Sequence, residues 1–258
     1  MSRLGLAGQK PMEPACAEMA YQAGINYFFF YNLAYTSFLD GLKPVLARAR
    51  EQVVLTTGCE RRDRTQLQQY LDQVRATLNV DIVDTFFLEY ISPKDNTNEI
   101  IAALELLQQW KAAGTIRYVG ATTHNRDLAL ELLQDSSCDV LMHRYNMAHR
   151  KAEAAVLPAA LKANIPVVAF TATRWASLLQ GHADWPHPLP TAADCYRMAL
   201  HQPAIRVVLT APKTQAELTE NLSVLKAPPL SSQEVSHWQA YGDLIYGGGQ
   251  DSFETQWP

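Results

Sequence analysis

Short apolar runs alternate with longer stretches of helical period along nearly the whole chain, and that alternation sets the class of fold. Val53-Val54-Leu55 and Val167-Val168-Ala169 are uninterrupted apolar runs. A strand covered on both faces carries such a run, and parallel sheets bury both faces. The segments between them repeat apolar residues at helical spacing, as in Leu104, Leu106, Leu107 and Trp110. Gly114 stops that segment and Gly24 stops the one ending at Ala23. Thr65 stands where it can cap the helix after the third strand.

Read this way, the chain holds eight strand–helix units. The strands fall at Leu4–Ala7, Tyr27–Phe30, Val53–Thr56, Thr85–Leu88, Tyr118–Ala121, Val140–Met142, Val167–Phe170 and Val207–Leu209. Their helices fall near Pro14–Gln22, Phe38–Arg50, Thr65–Leu78, Asn98–Ala112, Arg126–Gln134, Glu153–Lys162, Ala192–Leu200 and Gln215–Leu225, with a last one over Ser232–Ile245. Eight units in 258 residues favour a closed (β/α)8 TIM barrel over an open sheet, and a single domain spanning 1–258. The irregular stretch Arg174–Pro190 follows the seventh strand, at the barrel face where active sites lie. It reads as a lid or as a surface excursion, with Trp175 and Trp185 lining a pocket or pinning the loop. Gly247-Gly248-Gly249 reads as a flexible linker and not as a phosphate loop.

Composition excludes several classes. A net charge of −4 and a pI near 6.0 give no electrostatic footprint for nucleic acid. No apolar stretch approaches membrane-spanning length, and the N-terminal segment does not read as a signal peptide. Cys16, Cys59, Cys138 and Cys195 form no C-x-x-C pair, so reduced thiols in a cytoplasmic protein are expected. His143 and His149 lack metal-ligand spacing, so no metal is expected. Cys59 reads as an inert buried thiol.

Four stretches resemble the aldo-keto reductase family in order and spacing. Ser2-Arg3-Leu4-Gly5-Leu6 resembles its opening strand, and Ala23-Gly24-Ile25-Asn26-Tyr27-Phe28 the approach to its second. The segment from Trp110 through Gly114-Thr115-Ile116-Arg117 to Gly120 is similar to the family's K-x-G-K-I-R-x-I-G. Pro212-Lys213-Thr214, leading to Leu218-Thr219-Glu220-Asn221, is similar to its closing cofactor motif. The resemblance implies a barrel that binds NAD(P)H and transfers hydride to a carbonyl. It also implies a catalytic tyrosine whose pKa a lysine and an aspartate depress, with a histidine orienting the substrate.

The tetrad is degenerate. Phe29 stands at the aspartate, Ala34 at the tyrosine with Tyr35 one residue on, Gly58 at the lysine, and Glu89 at the histidine. Glu89 lies among Phe86, Phe87 and Tyr90, and burial there would raise its pKa. A protonated carboxyl can then donate a proton at neutral pH. The alternative is a Glu89 solvated at the barrel mouth. The resemblance implies more for the cofactor, NADPH. Thr122 and Thr123 match the pair that holds the carboxamide, although Met142 replaces their glutamine partner. Phe170 matches the aromatic under the nicotinamide, and Thr171 follows it. Lys213 and Thr214 match the ligands of the 2′-phosphate, with Glu217 beside them as a repelling charge. Glu220 and Asn221 match the adenine contacts.

Three functions stay open on these residues. The first is an NAD(P)H-dependent oxidoreductase acting on an apolar or aromatic carbonyl or enone, with Tyr35 or Glu89 as proton donor. The second is a cofactor-free lyase, cyclase or isomerase using Glu89 as acid and base. The third is a non-catalytic module that binds nucleotide or a partner. The first two act on a small molecule; oligomeric state is not legible.

Overall fold

The computed structural model describes residues 1–247. Gly248 and Gly249 of the expected linker, and the rest of the expected domain to residue 258, lie outside the described residues. The strands are β1 (Leu4–Ala7), β2 (Tyr27–Phe30), β3 (Val54–Cys59), β4 (Val83–Leu88), β5 (Ile116–Thr123), β6 (Val140–Arg144), β7 (Val167–Phe170) and β8 (Ile205–Thr210). Each pairs in parallel with the next, and β8 returns to β1 with Leu4 opposite Val208, so the sheet closes into a barrel. One helix follows each strand: α1 (Ala15–Gln22), α2 (Thr36–Ala49), α3 (Arg64–Leu78), α4 (Thr97–Ala112), α5 (Arg126–Gln134), α6 (Val156–Ala163), α7 (Ala192–Leu200) and α8 (Gln215–Leu222). A further helix, α9 (Ser232–Tyr246), follows α8. This is the (β/α)8 architecture expected from the alternation.

The expected elements are present, with shifted edges. Helix α3 begins at Arg64, so Thr65 lies inside it and Asp63 is its cap, accepting from the backbone N–H of Gln66. A cap must sit in extended backbone, and Asp63 does (φ −67°, ψ 128°). The helix expected over Glu153–Lys162 is split. A 3₁₀ turn spans Lys151–Ala154, and Ala155 leaves helical geometry before α6 starts. Strand β5 takes in Arg117, whose charge masks the apolar pattern; its guanidinium is neutralised by Asp84 at 3.2 Å. Strand β6 continues to Arg144 for the same reason.

Alternation along the strands builds two cores. Phe28, Phe30, Leu55, Phe86, Val119 and Leu141 point outward and pack beneath the helices. Tyr27, Phe29, Phe87, Met142, Val168, Val207 and Leu209 point inward and fill the barrel. Burying each large side chain stabilises the fold by about 2–3 kcal/mol. The interior accommodates three inward aromatics because glycines face them. A Cβ on Gly120 would stand 2.3 Å from the Phe87 ring, and one on Gly5 would stand 2.7 Å from Tyr27.

The segment after β7 is held down by α9. Trp185 packs against Tyr241 (ring centroids 5.0 Å apart), whose hydroxyl donates to the Leu178 carbonyl at 2.6 Å. Trp185 therefore pins the loop, while Trp175 is 58% exposed. Among the described residues, no helix is long and apolar enough to cross a membrane.

Candidate active site

The C-terminal ends of β2, β4, β5 and β7 bring one group of expected residues together. Glu89 follows directly on β4, and its N–H donates to the Cys59 carbonyl at the end of β3. That bond turns the side chain into the barrel above Phe87. The Thr122 hydroxyl donates to Glu89 Oε2 at 3.1 Å and accepts from the Tyr90 N–H at 2.7 Å. Glu89 Oε1 lies over Gly58, where a Cβ would stand 2.2 Å away. The carboxyl thus fills the space that a side chain at position 58 would take. Oε1 and the buried Tyr27 hydroxyl have no hydrogen-bond partner among the described residues. Glu89 is 2% exposed, and burial pushes its carboxyl up to about 8, against the smaller opposing pull of the Thr122 hydrogen bond. It is buried and not solvated.

Aromatic rings gather at this end of the barrel. Tyr31 meets Tyr35 and Tyr90 edge-on, at 5.5 and 6.1 Å. Tyr90 stacks on His124 at 5.9 Å, and the His124 ring meets Phe170 at 5.1 Å. Such pairs each contribute about 0.5–1.5 kcal/mol beyond the area they bury. Tyr90 holds a left-handed backbone (φ 54°). Arg62 fixes that turn from outside, donating to the carbonyls of Glu89 and Tyr90 and pairing with Asp95 at 2.9 Å. Tyr35 is half-buried just before α2 and touches this group through Tyr31; burial raises its pKa above that of an ordinary phenol. Phe29 packs edge-on against Phe87.

Thr123 turns away from Glu89. Its hydroxyl donates to the Ile91 carbonyl at 2.7 Å and accepts from the Asn125 N–H at 3.0 Å. Thr171 adopts a left-handed backbone (φ 55°); its hydroxyl donates to the Phe170 carbonyl, and its own carbonyl accepts from Asn146 at 2.9 Å. Asn146 Oδ1 accepts in turn from the N–H groups of Ala148 and His149.

The remaining expected residues form a second group at the start of α8. Thr214 caps α8, accepting from the Glu217 N–H. Glu217 accepts from the Lys213 N–H at 2.7 Å, and Glu13 accepts from the Gln215 N–H at 2.9 Å. These amides form an anion cradle of the sort a helix N-terminus offers, and the chain's own carboxylates sit in it. Asn221 is buried and donates to Thr210, while Glu220 is exposed. Among the described residues, no hydrogen bond links this group to Glu89.

Tyr31, next to the aromatic run Phe28–Phe30, is joined at the mouth by residues that no motif marked: Arg62, His124, Arg126, Arg144 and Lys151. They come from separate loops, so no local spacing marks them. The one usable signal was Asn146, a polar residue between Tyr145 and Met147 that ties the β6 loop to the β7 loop.

Residues 13–188 match the model of the aldo/keto reductase family. A search of curated protein sequences finds no match. Among solved structures, the chain is similar to the aldo-keto reductase AKR11C1 from Bacillus halodurans in its holo form. That likeness has a TM-score of 0.79 and 18% identity, covering 93% of this chain and 92% of that one. It is also similar to an aldo/keto reductase from Klebsiella pneumoniae in complex with NADP and acetate. There the TM-score is 0.75 and the identity 16%, with 94% of this chain and 92% of that one covered. At such identities the structural likeness speaks for the fold.

Proposed function

Because the chain belongs to the aldo/keto reductase family, we propose that it is an NAD(P)H-dependent oxidoreductase in which Glu89 donates the proton to an apolar or aromatic carbonyl or enone. The observation that carries this reading is the buried Glu89 carboxyl, held by Thr122 over the space left by Gly58. The whole chain, 1–258, acts in it as one barrel domain.

Acidity decides between the two donors. Glu89, at about 8, keeps its proton at neutral pH and still releases it readily. Tyr35 holds its proton more tightly than an ordinary phenol, whose pKa is ~10. The Thr122 hydroxyl occupies Oε2, so the transferable proton sits on Oε1. A substrate oxygen reaches Oε1 only when the Tyr31, Tyr90 and His124 roof moves aside, and the apolar rings suit an apolar or aromatic substrate. Tyr35 then backs Tyr31 and does not donate.

The residues fit a nicotinamide dinucleotide. Phe170 is half-buried at the end of β7 and offers a ring to the nicotinamide. Thr122 and Thr123 flank that seat, where a carboxamide competes with Glu89 and Ile91 for their hydroxyls. Thr171 faces the pyrophosphate, Lys213 and Thr214 the ribose end, and Glu220 and Asn221 the adenine. The donors at the start of α8 already hold anions, which supports a phosphate there once Glu217 gives way. Bound so, the reduced cofactor supplies hydride.

The test is an NADPH titration read by tryptophan fluorescence, with Lys213→Glu as control, followed by turnover on a carbonyl and enone panel. Saturable binding lost in the control is expected. Glu89→Gln should lower kcat about a hundredfold or more, and Tyr35→Phe less than tenfold. No binding up to about a millimolar, or turnover that needs no nucleotide, would overturn the reading.

A further inference from the structure

Two buried polar atoms inside the barrel lack partners among the described residues: Glu89 Oε1 and the Tyr27 hydroxyl oxygen. Glu89 is 2% exposed and Tyr27 3% exposed, so bulk solvent serves neither. Native interiors pair nearly all such groups, and each exception calls for an explanation.

Both atoms belong to the inner face of the sheet. Tyr27 opens β2 and points inward, as does Phe29 two residues on. On β3, Val54, Thr56 and Gly58 alternate onto the same inner face, with Val54 opposite Tyr27 and Thr56 opposite Phe29. Gly58 leaves room for the Glu89 carboxyl. Thr56 lies beside the Tyr27 hydroxyl but outside hydrogen-bonding geometry, and it gives its own proton to the Phe28 carbonyl at 2.9 Å. Burial makes the Tyr27 phenol a weaker acid, and the charge of Glu89 is felt there in the same direction. Tyr27, Thr56 and Glu89 thus form a polar seam in an interior otherwise filled by Phe29, Phe87, Met142, Val168 and Val207.

The other titratable groups that act on Glu89 or feel its charge are Glu60, Arg62, Tyr70 and Tyr90. Glu60, as a carboxylate, can only accept. Arg62 reaches the turn from outside, through the carbonyls of Glu89 and Tyr90 and through Asp95. Tyr70 lies on the outer side of β3, 3.3 Å from the Thr57 hydroxyl. Tyr90 stacks on His124 at the rim. Of these tyrosines, Tyr27 is the one inside the barrel.

We infer that Tyr27 is a positioning residue for Glu89: its hydroxyl donates to Oε1, directly or through one buried water, as the carboxyl gives up its proton. This rests on the reading of Glu89 as the proton donor. When the Oε1–H bond breaks and its proton passes to the substrate oxygen, a carboxylate is left inside the barrel. Thr122 holds one of its oxygens, and the other needs a donor. A carboxylate oxygen has two lone-pair sites, so Tyr27 can hold one while the substrate uses the other. A hydrogen bond to the charged form is the stronger one, so this contact makes Glu89 a better acid without exposing it to solvent. A water between them finds three partners in Tyr27, Thr56 and Glu89, as buried waters require.

The test is an infrared pH titration of the full chain without nucleotide, following the protonated-carboxyl band that Glu89→Gln abolishes. Tyr27→Phe keeps the ring and removes only the hydroxyl. In that variant Glu89 is expected to be at least tenfold weaker as an acid, a midpoint about one pH unit higher than in wild type. Tyr70→Phe, which removes a hydroxyl outside the barrel, is expected to leave the midpoint unchanged. Should Tyr27→Phe not fold, Tyr27→Met also removes the hydroxyl, adapts to the space and reads the same shift. An identical midpoint in wild type and Tyr27→Phe overturns the role of Tyr27, and so does an equal rise in Tyr70→Phe, the mark of a general loosening. A wild type with no such band at neutral pH overturns the reading of Glu89 as donor, and this inference with it. None of these outcomes depends on NADPH binding or turnover.

Discussion

Replacing Glu89 with glutamine should make the protein's stability much less dependent on pH. In the folded chain burial raises the Glu89 carboxyl to about 8, whereas the unfolded chain titrates near 4.5, the ordinary value for a glutamate. Between those values the native state holds a proton that the unfolded state has lost. Stability from this group is full below 4.5, falls as pH rises through the window, and levels off above about 8. Each pH unit in the window costs about 1.4 kcal/mol, so the whole window costs on the order of 5 kcal/mol. The group is 2% exposed, so solvent does little to screen the effect. Glutamine keeps the shape and the Thr122 contact but has nothing to titrate. Paired urea melts at about pH 5, about pH 6.5 and about pH 8.5 measure the difference. The variant should gain on the wild type steadily, by several kcal/mol between the two ends. A gap that stays constant across these pH values would refute the argument that Glu89 is neutral when folded.

Two further outcomes follow from the geometry. Glu217→Gln removes a carboxylate from the Lys213 N–H, and with it a like-charge contact of ~1 kcal/mol, so NADPH should bind about fivefold more tightly in the same fluorescence titration. Asn146→Ala orphans the Ala148 and His149 N–H groups and the Thr171 carbonyl, and should cost about 2–4 kcal/mol in a urea melt, with α6 and the loop after β7 losing amide-exchange protection first.

The barrel was legible because its strands need only short apolar runs, which Val53-Val54-Leu55 and Val167-Val168-Ala169 supply directly. Its edges were less so. Arg117 and Arg144 lie inside strands whose ends reach solvent or a polar pocket, and a charge there hides the period. Thr65 and Asp63 are both good caps by type; the backbone, not the residue, chose between them. At the site, Glu89 could be picked out because its neighbours Phe86 and Phe87 announce burial. Its contact with Gly58 joins two strands and leaves no mark on local sequence. Arg126, Arg144 and Lys151 were invisible as a group for the same reason. They are spaced irregularly along the chain and meet only once β5 and β6 are paired.

The 2.2 Å approach of Glu89 to the missing Cβ of Gly58 also constrains the routes by which this sequence can change. A side chain cannot enter at position 58 until the Glu89 carboxyl leaves that space, and a smaller residue at position 89 would open it. The two positions are thus coupled, and a library that varies position 58 alone will report it as intolerant while missing the pairs that work.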